Sequence, residues 1–154
     1  MKKKIAIIEY NTGNVSAISN MLSKINEKSV ITSDPKIIED SEIIILPGVG
    51  SFDRAIKKLE EKNLIDILKL KISENTKILG ICLGMQILTL GSEEGDKEGL
   101  KVFDTYCKSF NKQNSKDIFM GWSNTKAKKN EHKFDFLNKS KFYFLHKYYF
   151  PYHQ

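Results

Sequence analysis

The strongest constraint on the fold is a fourfold alternation of short β-rich runs with helical patterns in the first ninety residues. Lys4-Ile-Ala-Ile-Ile-Glu9 is the first run, Ser29-Val-Ile-Thr32 the second, Glu42-Ile-Ile-Ile-Leu46 the third and Thr76-Lys-Ile-Leu-Gly-Ile81 the fourth. Between them, apolar residues recur at helical spacing: Val15, Ile18, Met21, Leu22 and Ile25, then Phe52, Ala55, Ile56 and Leu59, then a further segment from Leu64 to Leu70. Asp34-Pro35 opens a helical turn, with Asp as N-cap and Pro at the first helical position. The fourth run leads through Cys82 into a helical stretch expected to reach about Leu90. Strands separated by helices imply βαβ units, a parallel sheet and right-handed crossovers. The unbroken apolar character of Ile43–Leu46 fits a strand covered on both faces. The expected architecture is therefore a doubly wound α/β domain.

After Gly91 the pattern changes. Leu100–Phe103 and Phe142–Phe150 are expected to be strands, whereas the polar, lysine-rich stretches 108–116 and 124–133 read as loops. At 154 residues the chain has the length of one domain, and a single domain is expected over 1–154. No apolar run approaches the ~20 residues that cross a bilayer. Met1-Lys-Lys-Lys leads into only four apolar residues before Glu9, too few for an export segment. Two cysteines, Cys82 and Cys107, provide neither a disulfide framework nor a zinc spacing, so the expectation is a cytoplasmic protein without a metal. The net charge of +6 comes almost wholly from scattered lysines, with Arg54 as the lone arginine. That pattern reads as a solvating surface, not a nucleic-acid interface.

Gly80-Ile-Cys-Leu-Gly84 is the sharpest chemical signal. A cysteine at a strand-to-helix junction, with glycine two residues to either side, fits a nucleophile elbow. A helix N-terminus beside the sulfur would favour thiolate, and the Leu83 N–H would face a developing oxyanion. The same residue also reads as a small buried hydrophobe, the commoner state of a free cysteine. Pro47-Gly-Val-Gly-Ser51 follows the third strand and so emerges on the same carboxyl edge of the sheet. It reads as a source of a second oxyanion N–H or as a plain strand-to-helix turn. A dinucleotide fingerprint fails, because Gly48-x-Gly50-x-x-Asp53 lacks the third glycine and follows the third strand instead of the first.

Pro47-Gly-Val-Gly-Ser-Phe52, Gly80-Ile-Cys-Leu-Gly-Met-Gln86 and Ser92-Glu-Glu-Gly95 together resemble the class I glutamine amidotransferases. The opening Glu9-Tyr-Asn-Thr-Gly-Asn14, Met120-Gly-Trp122 and Tyr143-Phe-Leu-His-Lys-Tyr-Tyr149 narrow the resemblance to the glutaminase subunits of imidazole glycerol phosphate synthases. It runs in order from about residue 4 to 150. It implies a flavodoxin-like sheet, no cofactor, glutamine as substrate and a cyclase subunit as partner in a heterodimer, within histidine biosynthesis. It further implies Cys82 as nucleophile and Val49, Gly50 and Leu83 as the oxyanion hole. Gln86, Glu94, Lys147 and Tyr148 match substrate-binding positions, and Asn14, Trp122 and Tyr143 match the surface facing the partner.

The chain departs from that pattern in several places. Phe119 and Ser123 flank Met-Gly-Trp where the family usually carries histidine and asparagine, and Lys147 replaces a small hydroxyl residue. The family completes its triad with a His-Pro-Glu segment. Here His132, His146 and His153 each lack a glutamate two residues on, so the expected domain is C-terminally incomplete before that segment. The departures leave two other functions open: an amidotransferase partner in surface-sugar biosynthesis, and a catalytically silent binding subunit. The strand around His146 is expected to pack and not to supply a base.

Overall fold

The computed structural model describes residues 4–110, 118–126, 135, 137–138 and 140–151. Strands β1 (Ile5–Ile8), β2 (Ser29–Thr32), β3 (Ile43–Leu46) and β4 (Lys77–Gly80) form one sheet in the order β2-β1-β3-β4, with every pair parallel. The parallel α/β expectation is met. The order reverses direction beside β1, which makes the carboxyl ends of β1 and β3 the topological switch point where such sheets place their sites.

Alternation along β1 sends its side chains to two different layers. Ile5 and Ile7, with Ile45 of β3, pack against Val15, Ile18 and Leu22 of α1 (Val15–Lys24). Ala6 and Ile8, with Ile44 and Leu46, join a larger core. That core takes Ile38 of α2 (Pro35–Glu39), Phe52, Ala55, Ile56 and Leu59 of α3 (Phe52–Glu61), and Leu68 of α4 (Ile65–Ser73). Helices therefore cover both faces, which is why the central strands carry no polar residues. In α3 the buried set falls at i, i+3, i+4 and i+7, a single apolar stripe.

Local chemistry starts and stops these helices. Asn14 caps α1 by accepting the Ala17 N–H at 3.0 Å, and Asp34 caps α2 by accepting that of Lys36 at 2.9 Å. Three helices end on an asparagine in the left-handed region: Asn26 after α1, Asn63 after α3 and Asn75 after α4, with φ of 59°, 55° and 56°. Each end closes with the paired bonds of a Schellman motif; after α1, for example, the Glu27 N–H donates to the Leu22 carbonyl and that of Asn26 to Ser23.

Lys71, on the buried side of α4, is the buried charged side chain among the described residues. Its ammonium donates to the Glu39 carbonyl at 2.7 Å and to Glu74 Oε2 at 2.9 Å, tying α4 to the end of α2.

Two expectations change after Gly80. Helix α5 (Leu83–Ile87) is shorter than expected, ending before Leu90. Leu100–Phe103 is not a strand: the N–H groups of Leu100, Lys101 and Val102 donate to the carbonyls of Ile87, Thr89 and Leu88. These are the orphan carbonyls left by a helix C-terminus, and satisfying them outweighs the strand preference of an apolar run. The strand forms a few residues later. There β6 (Tyr106–Ser109) pairs in parallel with β5 (Gly91–Ser92).

The chain divides into two compact units, Met1–Lys108 with Phe150–Gln154, and Ser109–Tyr149. The second is built on an antiparallel ribbon of β7 (Phe119–Asn124) and β8 (Lys141–His146), in which Trp122 faces Tyr143. The expected strand 142–150 is thus broken at Lys147, which separates β8 from β9 (Tyr148–Tyr149). Most of the two stretches expected to be loops lies outside the described residues. Among the described residues no helix is long and apolar enough to cross a membrane.

Candidate active site

Strand β4 delivers the chain to Cys82, the residue immediately before α5. Cys82 has φ 54° and ψ −112°, a conformation that side chains with a Cβ rarely adopt. Strain of this kind survives only where the surroundings fix it, and here they do. A Cβ on Gly84 would collide with the Leu46 carbonyl oxygen, and one on Gly80 would lie 2.7 Å from the backbone of Met85. The Ile81 N–H donates to that same Leu46 oxygen at 3.0 Å. The elbow is thus pressed onto the carboxyl end of β3 and turned outward. Its thiol is exposed, against the buried-hydrophobe reading, whereas Cys107 on β6 is fully buried. Burial pushes the Cys107 thiol up, and the nearby Glu94 carboxylate adds to the rise against a Thr89 hydroxyl that lowers it.

The Pro47–Ser51 loop leaves β3 beside the elbow. Pro47 and Gly48 are buried; Val49 and Gly50 are exposed. A Cβ on Gly48 would lie 2.6 Å from the Tyr10 hydroxyl and 2.9 Å from Leu83 Cβ, so only glycine lets the loop approach both. Gly50 sits at φ 102° with open space around it. Tyr10, from the turn after β1, is fully buried and its hydroxyl donates to the Pro47 carbonyl. Its pKa is pushed up to about 12, first by burial and further by the charges of Cys82 and Glu9, with the Thr12 hydroxyl opposing. Loops following β1, β3 and β4 therefore meet at the switch point.

Gln86 and Glu94 belong to a second layer around the elbow. Gln86 is buried on α5, and its Oε1 accepts from the Ser92 hydroxyl at 3.2 Å. Ser92 Oγ in turn accepts the Glu94 N–H at 3.2 Å. The same loop is held from the other side by Asp53, in the first turn of α3, whose carboxylate accepts the Asp96 N–H at 3.1 Å and the Lys97 N–H at 3.0 Å. Asp53, which fails as a dinucleotide residue in the sequence, is here a clamp on the loop that carries Glu94.

The remaining expected residues are described each within its own unit. Asn14 is exposed and occupied as the cap of α1. Trp122, Tyr143, Lys147 and Tyr148 belong to the second unit. There Trp122 and Tyr143 form an edge-to-face pair 5.7 Å apart and are 71% and 53% exposed. The Lys147 ammonium lies 5.9 Å from the centre of the Tyr148 ring. His146 is set among Phe110, Phe119 and Phe144 at 5.1–5.8 Å. No group of three metal-ligating side chains occurs among the described residues.

Sequence reasoning missed Tyr10, Ser92 and Asp53 as parts of the site. Tyr10 and Asp53 act across 37 and 43–44 residues, and no local pattern advertises such pairings. Ser92 lies inside a motif that drew attention for its glutamates.

The chain is similar to known proteins. The family model described as glutamine amidotransferase class-I matches residues 6–152. The imidazole glycerol phosphate synthase subunit HisH 2 of Methanococcus maripaludis is 46% identical over 148 residues, covering 94% of this chain and 73% of that protein. The corresponding subunit of Cyanidium caldarium is 41% identical, covering 96% and 73%, and that of Leptospira interrogans 37%, covering 94% and 74%. A crystal structure of a glutamine amidotransferase superposes with a TM-score of 0.62 at 15% identity, over 76% of this chain and 62% of that one, a likeness of fold alone.

Proposed function

This chain belongs to the class I glutamine amidotransferases, and from that premise we propose that it is the glutaminase subunit of an imidazole glycerol phosphate synthase. The observation that carries the chemistry is the exposed thiol of Cys82 on a strained elbow, pressed against a glycine loop. The Cys82 thiolate attacks the carboxamide carbon of glutamine. The carbonyl π electrons move onto oxygen, where the Leu83 N–H and the Val49–Gly50 peptide N–H receive the charge. Collapse breaks the C–N bond; the departing amide nitrogen takes up the proton that the thiol gave to the base and leaves as ammonia, and a γ-glutamyl thioester remains on sulfur. Water then cleaves the thioester, giving glutamate and the free thiol. Glu94 pairs with the substrate α-ammonium, and Gln86, braced by Ser92, orders the wall beneath it.

The cyclase partner that consumes the ammonia docks in a heterodimer, meeting Asn14 of the first unit and Trp122 and Tyr143 of the second. Exposed aromatic pairs are the usual anchors of such interfaces.

Turnover also needs a base to take the thiol proton and activate water, a contribution worth roughly 10²–10⁴-fold. None of the three histidines is followed two residues on by glutamate. Acylation, which must deprotonate the thiol and protonate the departing ammonia, and deacylation are therefore both expected to be slow in a polypeptide of residues 1–154, while Cys82 stays open to thiol-directed glutamine analogues. Affinity capture from cells, joined to an ammonia assay on Cys82 and Cys82→Ala chains, tests the assignment. Recovery of the cyclase and Cys82-dependent ammonia release support it. Recovery of a sugar-modifying synthase, or a partner bound with no glutamine chemistry at Cys82, rejects it.

A further inference from the structure

Resting on the glutaminase reading, we propose that Tyr10 is a positioning residue: its hydroxyl holds the Pro47–Gly48 peptide so that the following Val49–Gly50 amide faces the oxyanion formed at Cys82. Three observations converge on it. The loop is restrained at its root and open at its tip, because Pro47 and Gly48 are buried while Val49 is 61% exposed and nothing lies within 4 Å of a Cβ on Gly50. An amide at such a tip is aimed only as well as the root is fixed. Tyr10 fixes that root: its hydroxyl donates to the Pro47 carbonyl and sits 2.6 Å from the Cβ position of Gly48, whose other neighbour is Leu83 of the elbow.

The hydroxyl is also committed as a donor. With its pKa pushed up to about 12, it keeps its proton at any pH where the enzyme works, so it is neither a base nor a nucleophile. The Pro47 carbonyl receives the phenolic proton, and the Thr12 hydroxyl lies beside the phenol. Tyr10 thus couples the turn after β1 to the loop after β3, across the switch point.

The test compares two reagents on the 154-residue chain. Iodoacetamide alkylates a thiolate by displacing iodide and forms no oxyanion. A chloroketone with the shape of L-glutamine is attacked at its carbonyl and passes through one. Tyr10→Phe is expected to slow saturating chloroketone labelling of Cys82 about tenfold or more, against the ~10²–10³-fold effect of losing an oxyanion donor outright. Iodoacetamide labelling and the chloroketone half-saturation concentration should stay within about twofold of wild type, as for a change confined to the transition state. 3-Fluorotyrosine at position 10 keeps both ring and hydroxyl and should retain the wild-type rate, which guards against a misfolded Phe variant. Equal chloroketone rates in Tyr10→Phe and wild type overturn the proposal. So does a parallel fall with both reagents, which marks a merely structural role, or a loss of rate in the fluorotyrosine chain. A wild-type chain that reacts with iodoacetamide and not with the chloroketone instead refutes the glutaminase reading on which this rests.

Discussion

At the scale of single residues, the two cysteines illustrate how environment sets reactivity. Cys82 is exposed on its elbow, whereas Cys107 is wholly buried with its thiol pushed up by desolvation. Limited iodoacetamide at neutral pH should therefore label Cys82 and spare Cys107, as read by peptide mass spectrometry; equal labelling of both would contradict this burial. The elbow's strain has its own signature. Cys82→Ala and Cys82→Gly both remove sulfur, but only glycine is at ease at φ 54°, ψ −112°. Urea denaturation should find the glycine variant more stable than the alanine variant by about 1–2 kcal/mol, within the range typical of a strained backbone position. Tyr10 sets a pH limit. Its pKa is about 12 in the folded chain against about 10 when unfolded, so the stabilisation is complete below pH 10 and is lost as pH rises from 10 to 12. Unfolding free energy should fall by about 1.4 kcal/mol per pH unit across that window, and Tyr10→Phe should remove the slope. The cysteine was legible in the sequence because glycines at fixed offsets mark an elbow. Tyr10 was not, because a tyrosine earns its role only from the carbonyl it meets in the fold.

At the scale of elements, the four sheet strands were legible because runs such as Ile43–Leu46 can be satisfied in few ways. Leu100–Phe103 misled for a physical reason: its backbone bonds are claimed by the carbonyls at the end of α5, a demand that depends on where α5 stops. The Schellman endings at Asn26, Asn63 and Asn75 carry a local signal, an asparagine just past the last helical turn. Elements also hold the loop bearing Glu94, through Asp53 at the start of α3. Asp53→Ala should remove the carboxylate anchor of that loop while its Ser92 contact and the Lys97–Glu60 ion pair remain. Amide exchange at Asp96 and Lys97 should quicken, and the half-saturation concentration of a glutamine-shaped chloroketone should rise several-fold while the saturated rate changes little. Unchanged exchange would show that the carboxylate is not the clamp. Lys71 makes a comparable link between α4 and α2. Lys71→Ala removes this part-buried link and should destabilise the chain by about 1 kcal/mol in urea.

At the scale of the whole molecule, the parallel sheet does one thing for function: it brings the carboxyl ends of β1, β3 and β4 together, so that residues 10, 48 and 82 become neighbours. Division into two compact units was not legible, since the ribbon of β7 and β8 is joined by a lysine-rich stretch that gives no boundary signal. The central claim is that Cys82 accepts the γ-glutamyl group of glutamine. The most direct measurement incubates the 154-residue chain with glutamine, quenches in acid and maps the adduct by mass spectrometry while counting released ammonia. The expected result is a hydroxylamine-sensitive γ-glutamyl thioester that builds up slowly on Cys82 alone, with ammonia released in step with it and little turnover beyond. A chain that leaves glutamine untouched while iodoacetamide still finds Cys82 would contradict it.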